Sequence, residues 1–459
     1  MRTSPQLARK GGWREVAAAL VILAAAGVSA RGAEGQGTGP VAPEPAELTL
    51  AQAVSEALAH APALEAASQQ EQAARLRATA ARRGRWGEID AVAGFWRYQD
   101  DQIVRPISRQ LLDGGFAGLP FDRDQWRYGL TLEVPLYVGG RLSASIAVAA
   151  LQADQAGALL EGSRWQVRFN VTSLYAAAQT LDAVGQAIDG NLAALEKTRR
   201  RVDLAVRIGK RPELDRLKLA GEIADARARR ANTAADAARV RALLLALLGR
   251  DPEAPLRLEP LRGQRAALET GRDELRALAL AASPVKRARL AAEQAGQAVR
   301  IARAAYLPSV AGRASYLRND APSVGSPLDT WEVSVGVRYP VFTGRARGAE
   351  LGAARHSEQA AASGLTKARL DQQARLAEAL ARWEAAGAAL DASTAGQAAA
   401  REAARIEQIR YDTGAGAIDD LLRARARELS ADSALARARG DSAVAAARLD
   451  SVCEKEVLP

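Results

Sequence analysis

The sequence predicts a mixed, mainly α-helical fold in two tandem repeats, each lending two strands to a membrane β-barrel that closes only when three chains join. Three observations carry that expectation. They are a duplication of constant offset, aromatic residues gathered on short alternating segments, and two helical stretches far longer than a globular core needs.

The duplication is read directly from the residues. Trp126–Pro135 is WRYGLTLEVP and continues LYVGGR, while Trp331–Pro340 is WEVSVGVRYP and continues VFTGR. Gly209 is followed six residues on by Asp215, and Gly414 six residues on by Asp420. The pairs 126/331, 135/340, 209/414 and 215/420 all stand 205 residues apart, a spacing held through a strand motif and a distant helix-turn motif.

Composition points the same way. Hydrophobic residues make up 48% of the 459-residue chain but aromatics only 4%, with much of the apolar share being alanine. Alanine favours helix and lets helices approach closely, but builds thin cores. One methionine and one cysteine leave no thiol pair for an intramolecular disulfide or a CxxC metal site, and Cys453 reads as an ordinary small residue.

At the N-terminus, Arg2, Arg9, Lys10 and Arg14 precede the uncharged apolar run Val16–Val28, and Val28-Ser29-Ala30 supplies small residues for cleavage after Ala30. This is the pattern of an export signal, too short to span a bilayer comfortably. No cysteine follows it, which argues against an N-terminal lipoprotein. Removing residues 1–30 takes away four basic residues and Glu15, so the formal charge falls from +10 by three to +7. Spread along helices, that excess is a weak signal for nucleic acid.

The remaining elements follow in order. Residues 31–47 are Gly/Pro/Ala/Glu-rich and read as a flexible lead. LTLAQAVSEALA opens a helix at Leu48 with Thr49 as N-cap, and the pattern continues past Pro62 to about Arg83. Its counterpart runs from near Asp273 to about Ala305 with Pro284 matching Pro62, an offset of 222 that leaves 17 extra residues in the first repeat, assigned to the loop Gln99–Gln125.

In the strands, Trp126, Tyr128, Leu130, Leu132, Val134 and Leu136 alternate with Arg127, Gly129, Thr131 and Glu133. The second copy sets Trp331, Val333, Val335, Val337, Tyr339 and Val341 against Glu332, Ser334, Gly336 and Arg338. Each has an earlier, less regular partner, Ile89–Tyr98 and Val310–Leu317. Fourteen of the 20 aromatics fall in 86–137 and 306–342, which suits a barrel with aromatic girdles; a soluble sandwich is the other reading. Trp86, Trp126, Tyr128, Trp331 and Tyr339 are the girdle candidates, with Trp86 standing where the second copy has Pro308. Four strands cannot close a barrel in lipid, whereas three copies supply twelve. The helical stretches near 142–208 and 346–413 would each reach about 100 Å at the α-helical rise, enough for a tunnel projecting from the barrel.

The division is then a signal peptide 1–30, a lead 31–47, a first repeat 48–250, a linker or equatorial segment 251–271, a second repeat 272–452 and a tail 453–459. The first repeat holds strands near 88–98 and 126–137, a long helix near 142–208 and a return helix near 212–249. The second holds strands near 309–318 and 331–342, a long helix near 346–413 and a return helix near 418–450.

At this point the residues resemble a known family. LTLAQAVSEALAHAPAL, the junctions PLYVGG and PVFTG, and YDTGAGAIDDLLRARAREL together resemble the TolC-like outer-membrane efflux proteins over nearly all of the chain beyond the signal. The resemblance implies a homotrimeric conduit: a 12-strand barrel in outer-membrane lipid above an α-helical periplasmic tunnel, docked at its tip by a periplasmic adaptor and an inner-membrane pump. It implies a passive duct for small molecules or for polypeptides in type I secretion. An exported helical adaptor or structural rod with a small β module is the competing reading.

The resemblance also puts the gate at the tip. Gly209 and Gly414 are turn glycines at helix C-termini, and Asp215 and Asp420 fall in the first turn of the next helix. A carboxylate there complements the helix dipole; with Asp419 adjacent, three copies of Asp420 could instead form an acidic constriction. Arg423 stands where the family often has a second acid, so an Asp420–Arg423 pair could replace a doubly acidic ring. Tyr411 is either a hydrogen-bonding gate residue or a packed aromatic. Lys210 and Arg211 are adaptor contacts or a solvated loop. For catalysis there is little: His60 and His356 stand alone on helices, Gly114-Gly115-x-x-Gly118 joins no strand to a helix, and no GxSxG is present. No cofactor or metal is expected, and the chain does not read as an enzyme.

Overall fold

The computed structural model describes residues 47–457 except 106, 108, 110–118 and 262–267. The export signal, all of the lead before Glu47, and Gly114, Gly115 and Gly118 lie outside the described residues.

The first repeat opens with α1 (Leu50–His60), where Thr49 and Gln52 form a reciprocal capping box: Gln52 N–H donates to Thr49 Oγ1 and Thr49 N–H to Gln52 Oε1. Extended Ala61 then breaks the helix, and Pro62, which needs no N–H partner at a first turn, starts α2 (Pro62–Arg83). Strands β1 (Glu88–Ile103) and β2 (Phe121–Tyr137) follow, then α3 (Arg141–Arg207) and α4 (Glu213–Leu247). The second repeat is α5 (Arg272–Ala281), α6 (Ser283–Ala304), β3 (Ser309–Asp320), β4 (Leu328–Arg338), α7 (Ala346–Asp412) and α8 (Ile418–Cys453). Part of the extra length expected in a loop at 99–125 lies in longer strands, since β1 runs to Ile103 and β2 begins at Phe121.

The four strands form one antiparallel sheet in the order β1-β2-β3-β4, so β2 and β3 pair although two long helices separate them in the chain. The register places Phe95 opposite Trp126, Leu130 opposite Tyr316, Tyr316 opposite Trp331 and Ala314 opposite Val333, all on one face. That face is uncovered: Trp331, Val333, Val335 and Val337 are 65 to 77% exposed. The opposite face is polar. There Thr131 pairs with Ser315, Glu133 meets Arg313 at 3.2 Å, and Arg127 donates to Asn319 at 2.9 Å. A sandwich would bury the apolar face; here no second sheet covers it among the described residues. Both β1 and β4 are edge strands of this sheet.

The helices bury the same positions twice. In the first repeat Ala53 and Ala57 of α1 pack with Val171 of α3 and Leu244 and Leu248 at the end of α4. In the second, Leu275 and Ala279 of α5 pack with Leu376 of α7 and Leu449 and Cys453 of α8. The offsets are 222 for the short helices and 205 for the long ones, as in the strands. Cys453 is thus the counterpart of Leu248, a small core residue whose thiol is pushed up to about 11, by burial first and then by Asp450.

Backbone conformation repeats too. Gly139, Gly140, Gly209 and Gly249 have left-handed φ, and at +205 stand Gly344, Arg345, Gly414 and Glu454, also left-handed. Arg345 and Glu454 are the non-glycine residues with positive φ among those described, so the turn geometry has outlasted the glycine that suits it. Across the sheet, a Cβ on Gly129 would lie 2.0 Å from the Tyr316 carbonyl oxygen, a backbone atom that cannot step aside. Gly129→Ala is therefore expected to disrupt the β2–β3 seam at a cost of roughly 1–3 kcal/mol. Thermal unfolding of the detergent-extracted protein checks this, and an unchanged melting curve would contradict it.

Candidate functional site

The ends of the α3/α4 and α7/α8 hairpins meet at the tip farthest along the helices from the sheet. Both turns close in the same way. Gly209 N–H bonds to Val206 O and Lys210 N–H to Ala205 O; Gly414 N–H bonds to Tyr411 O and Ala415 N–H to Arg410 O. These are paired Schellman closures around a left-handed glycine. Pro212 and Ala417 then stand extended as N-caps, so Asp215 and Asp420 each enter the first turn of the following helix.

From there the two repeats differ. Asp215 is 7% exposed, beside a small core of Leu195, Val202, Leu219, Ile223, Tyr411, Ile418 and Leu421. Tyr411 Oη donates to its Oδ2 at 3.3 Å, so the tyrosine is both packed and hydrogen-bonded. Burial, then the Asp215 charge, pushes the Tyr411 phenol up to about 12. Arg211 turns inward: its Nη2 donates to the Tyr411 carbonyl at 2.9 Å and its guanidinium lies 4.4 Å from that ring's centre. Arg201–Asp412 at 2.6 Å and Lys218–Asp419 at 2.8 Å add two further cross-repeat ion pairs. The first hairpin is thus clasped to the second within one chain.

Asp420 stays outside this clasp. It is exposed, with Arg423 three residues on at 4.0 Å, a surface pair of little energy. Lys210 is exposed. Leu204, Ile208, Leu214 and Leu217, each 56 to 59% exposed, surround the first turn; no reading of the sequence above singled them out. Their signal was available as large apolar residues three or four apart flanking the turn, but long amphipathic helices hold many such pairs. Trp126, Tyr128, Trp331 and Tyr339 lie exposed in or beside the strands, and Trp86 ends a single 3₁₀ turn just before β1, also exposed. No group of three or more His, Cys, Asp or Glu residues that could hold a metal occurs among the described residues, at His60 and His356 or elsewhere.

The sheet, apolar on one face and polar on the other with two edge strands, is carried on helices of about 100 Å. A family model described as outer membrane efflux protein matches residues 53–250 and 275–453, and the chain belongs to that family. Among solved structures it is similar to VceC of Vibrio cholerae (20% identity, 88% of this chain and 96% of that one, TM-score 0.74). It is likewise similar to the CmeC channel of Campylobacter jejuni (16%, 89% and 86%, 0.77) and to open-state MtrE of Neisseria gonorrhoeae (24%, 89% and 89%, 0.73). Protein CyaE of Bordetella pertussis is 32% identical over 316 residues, an alignment covering 66% of this chain and 65% of that protein. The rod-like adaptor reading does not survive this fold.

Removing the Tyr411 hydroxyl leaves the Asp215 carboxylate buried without its donor, so Tyr411→Phe is expected to loosen the tip by about 1–3 kcal/mol. Faster amide exchange confined to the two turns checks it. The phenol's pKa is raised on folding from 10.0 to about 12, so its contribution is present below pH 10 and is lost as pH rises toward 12. Tyrosinate absorbance, wild type minus Tyr411→Phe, should show one group ionising near that upper value; ionisation at the ordinary tyrosine pKa would contradict the burial.

Proposed function

We propose that three copies of this chain close a twelve-stranded barrel in the outer membrane and form the channel of a tripartite export system. In this reading the trimer is a passive duct through which small molecules or polypeptides pass from an inner-membrane pump to the exterior, with a periplasmic adaptor at the tip. The observation that carries it is the four-stranded sheet: apolar outward, polar inward, with two free edges that hydrocarbon would leave unbonded. Export of the chain rests on residues 1–30 read as a cleaved signal peptide.

The internal repeat supports a particular way of joining copies. Within the chain α8 lies against α3, with Gly440 so close that a Cβ would sit 2.4 Å from Thr180 Oγ1. Shifting by 205 turns α8 into α4 and α3 into α7, so α4 of one copy lies against α7 of the next. Ala235 then takes the place of Gly440 and Ala385 that of Thr180, and both are exposed in the single chain.

At the tip, the Tyr411–Asp215 clasp holds the closed form, and exposed Asp420 contributes carboxylates to the constriction, where a ring of acids favours cations. Lys210 and the apolar rim of Leu204, Ile208, Leu214 and Leu217 face the adaptor, whereas Arg211 serves the clasp. The work of transport falls to the pump.

A chain carrying Ala235→Cys with Ala385→Cys should oxidise to a covalent trimer, against a quiet background because Cys453 is buried. Oxidation that yields only monomers, with both thiols reactive, would reject this packing. In planar bilayers, Tyr411→Phe combined with Asp215→Ala should raise single-channel conductance several-fold, and Asp420→Ala should lower cation preference. Conductance and selectivity equal to wild type would remove those residues from the gate.

A further inference from the structure

Where α3, α6, α7 and α8 meet, a cavity of about 220 Å³ lies in the seam between the two repeats. Three guanidinium residues line it, Arg287 of α6, Arg375 of α7 and Arg448 of α8. Arg287 and Arg375 make no ion pair or hydrogen bond among the described residues. Arg448 only lies over the Phe169 ring, 5.2 Å from its centre. One carboxylate shares the wall, Glu454, and it is already committed: its Oε2 accepts from Ser283 N–H at 2.9 Å and from Ser283 Oγ at 2.7 Å, capping α6. Gln372, 3% exposed, also lines the cavity. Its Nε2 donates to Val452 O at 2.8 Å, which fixes the amide, while its Oε1 accepts nothing within the protein.

The other repeat is an internal control. At the corresponding positions the first repeat has Glu65 for Arg287, Val167 for Gln372, Asn170 for Arg375 and Leu243 for Arg448. The same helix junction therefore packs without any of these three cations or the buried amide. Their presence in the second repeat is an addition that helix packing does not require. Three cations lining a wall that holds one occupied carboxylate leave a surplus of positive charge.

We propose that this cavity binds a phosphate-sized oxyanion. Guanidinium groups take its oxygens, while the Gln372 amide, held at Val452 O, stays sealed in the wall and does not reach the ligand. Binding would tie α6, α7 and α8 of the second repeat together where they meet α3, independently of the gate.

The test is thermal unfolding of the full-length, detergent-extracted protein titrated with inorganic phosphate, against chloride at equal ionic strength. A saturable rise in melting temperature is expected for the wild type. It should vanish in the double variant Arg375→Asn with Arg448→Leu, which installs the first repeat's residues. If the double variant fails to fold, Arg287→Gln serves in its place. No saturable rise, or an equal rise in wild type and variants, overturns the proposal. Neither result touches the cross-linking or conductance outcomes, because all the ligating groups belong to a single chain.

Discussion

Hydrocarbon will not hydrogen-bond a backbone, and the rest of this structure is organised around that fact. The sheet presents an uncovered apolar face and two edge strands, β1 and β4, whose outward N–H and C=O groups have no partner within the sheet. In water such a surface aggregates, and in lipid each unsatisfied group costs several kcal/mol. The edges can be satisfied only by another strand. The proposed association of chains would meet that demand, with the long helices setting how neighbouring copies meet.

The duplication explains how one chain prepares for that association. Its two halves bury matching positions, Val171 with Leu376 and Leu244 with Leu449, and keep matching left-handed turns even where Arg345 and Glu454 have replaced glycine. Having solved the contact between α3 and α8 internally, the chain offers a similar surface outward on α7. Divergence between the halves then marks where more than packing is at stake. Asp215 is buried and clasped while Asp420 is exposed beside Arg423, and the α6 junction carries arginines that its twin lacks.

Much of this was legible in the residues. Period-two alternation identified the outward faces of β2 and β4, because side chains on a strand cannot change face without a register shift. Thr49 and Gln52 marked a helix start, and Gly209 and Gly414 marked turns. The strand ends were less visible: β1 continues through Gln99–Gln102, where the residues are polar and the pairing with β2 passes through a register irregularity between Arg97 and Gln102. The helix pattern running past Pro62 hid a break at Ala61 that the proline itself signals. At the tip the structure brings Tyr411 and Asp215 together, but the sequence did not show them as partners. Tyr411 and Asp215 lie 196 residues apart, and only the docking of the second hairpin on the first joins them. Arg211 looked like a cation for solvent or a partner because nothing local reveals that the Tyr411 ring lies beneath it.

Because Tyr411, Asp215, Arg211 and Asp412 all belong to one polypeptide, opening the proposed channel at the tip would not require prising neighbours apart. In that reading each chain holds its own catch. A ring of three such chains can then pass through states with one, two or three catches undone, so widening of the mouth can proceed by increments as successive contacts are made. A lock shared between neighbours would instead tie every release to its neighbour's.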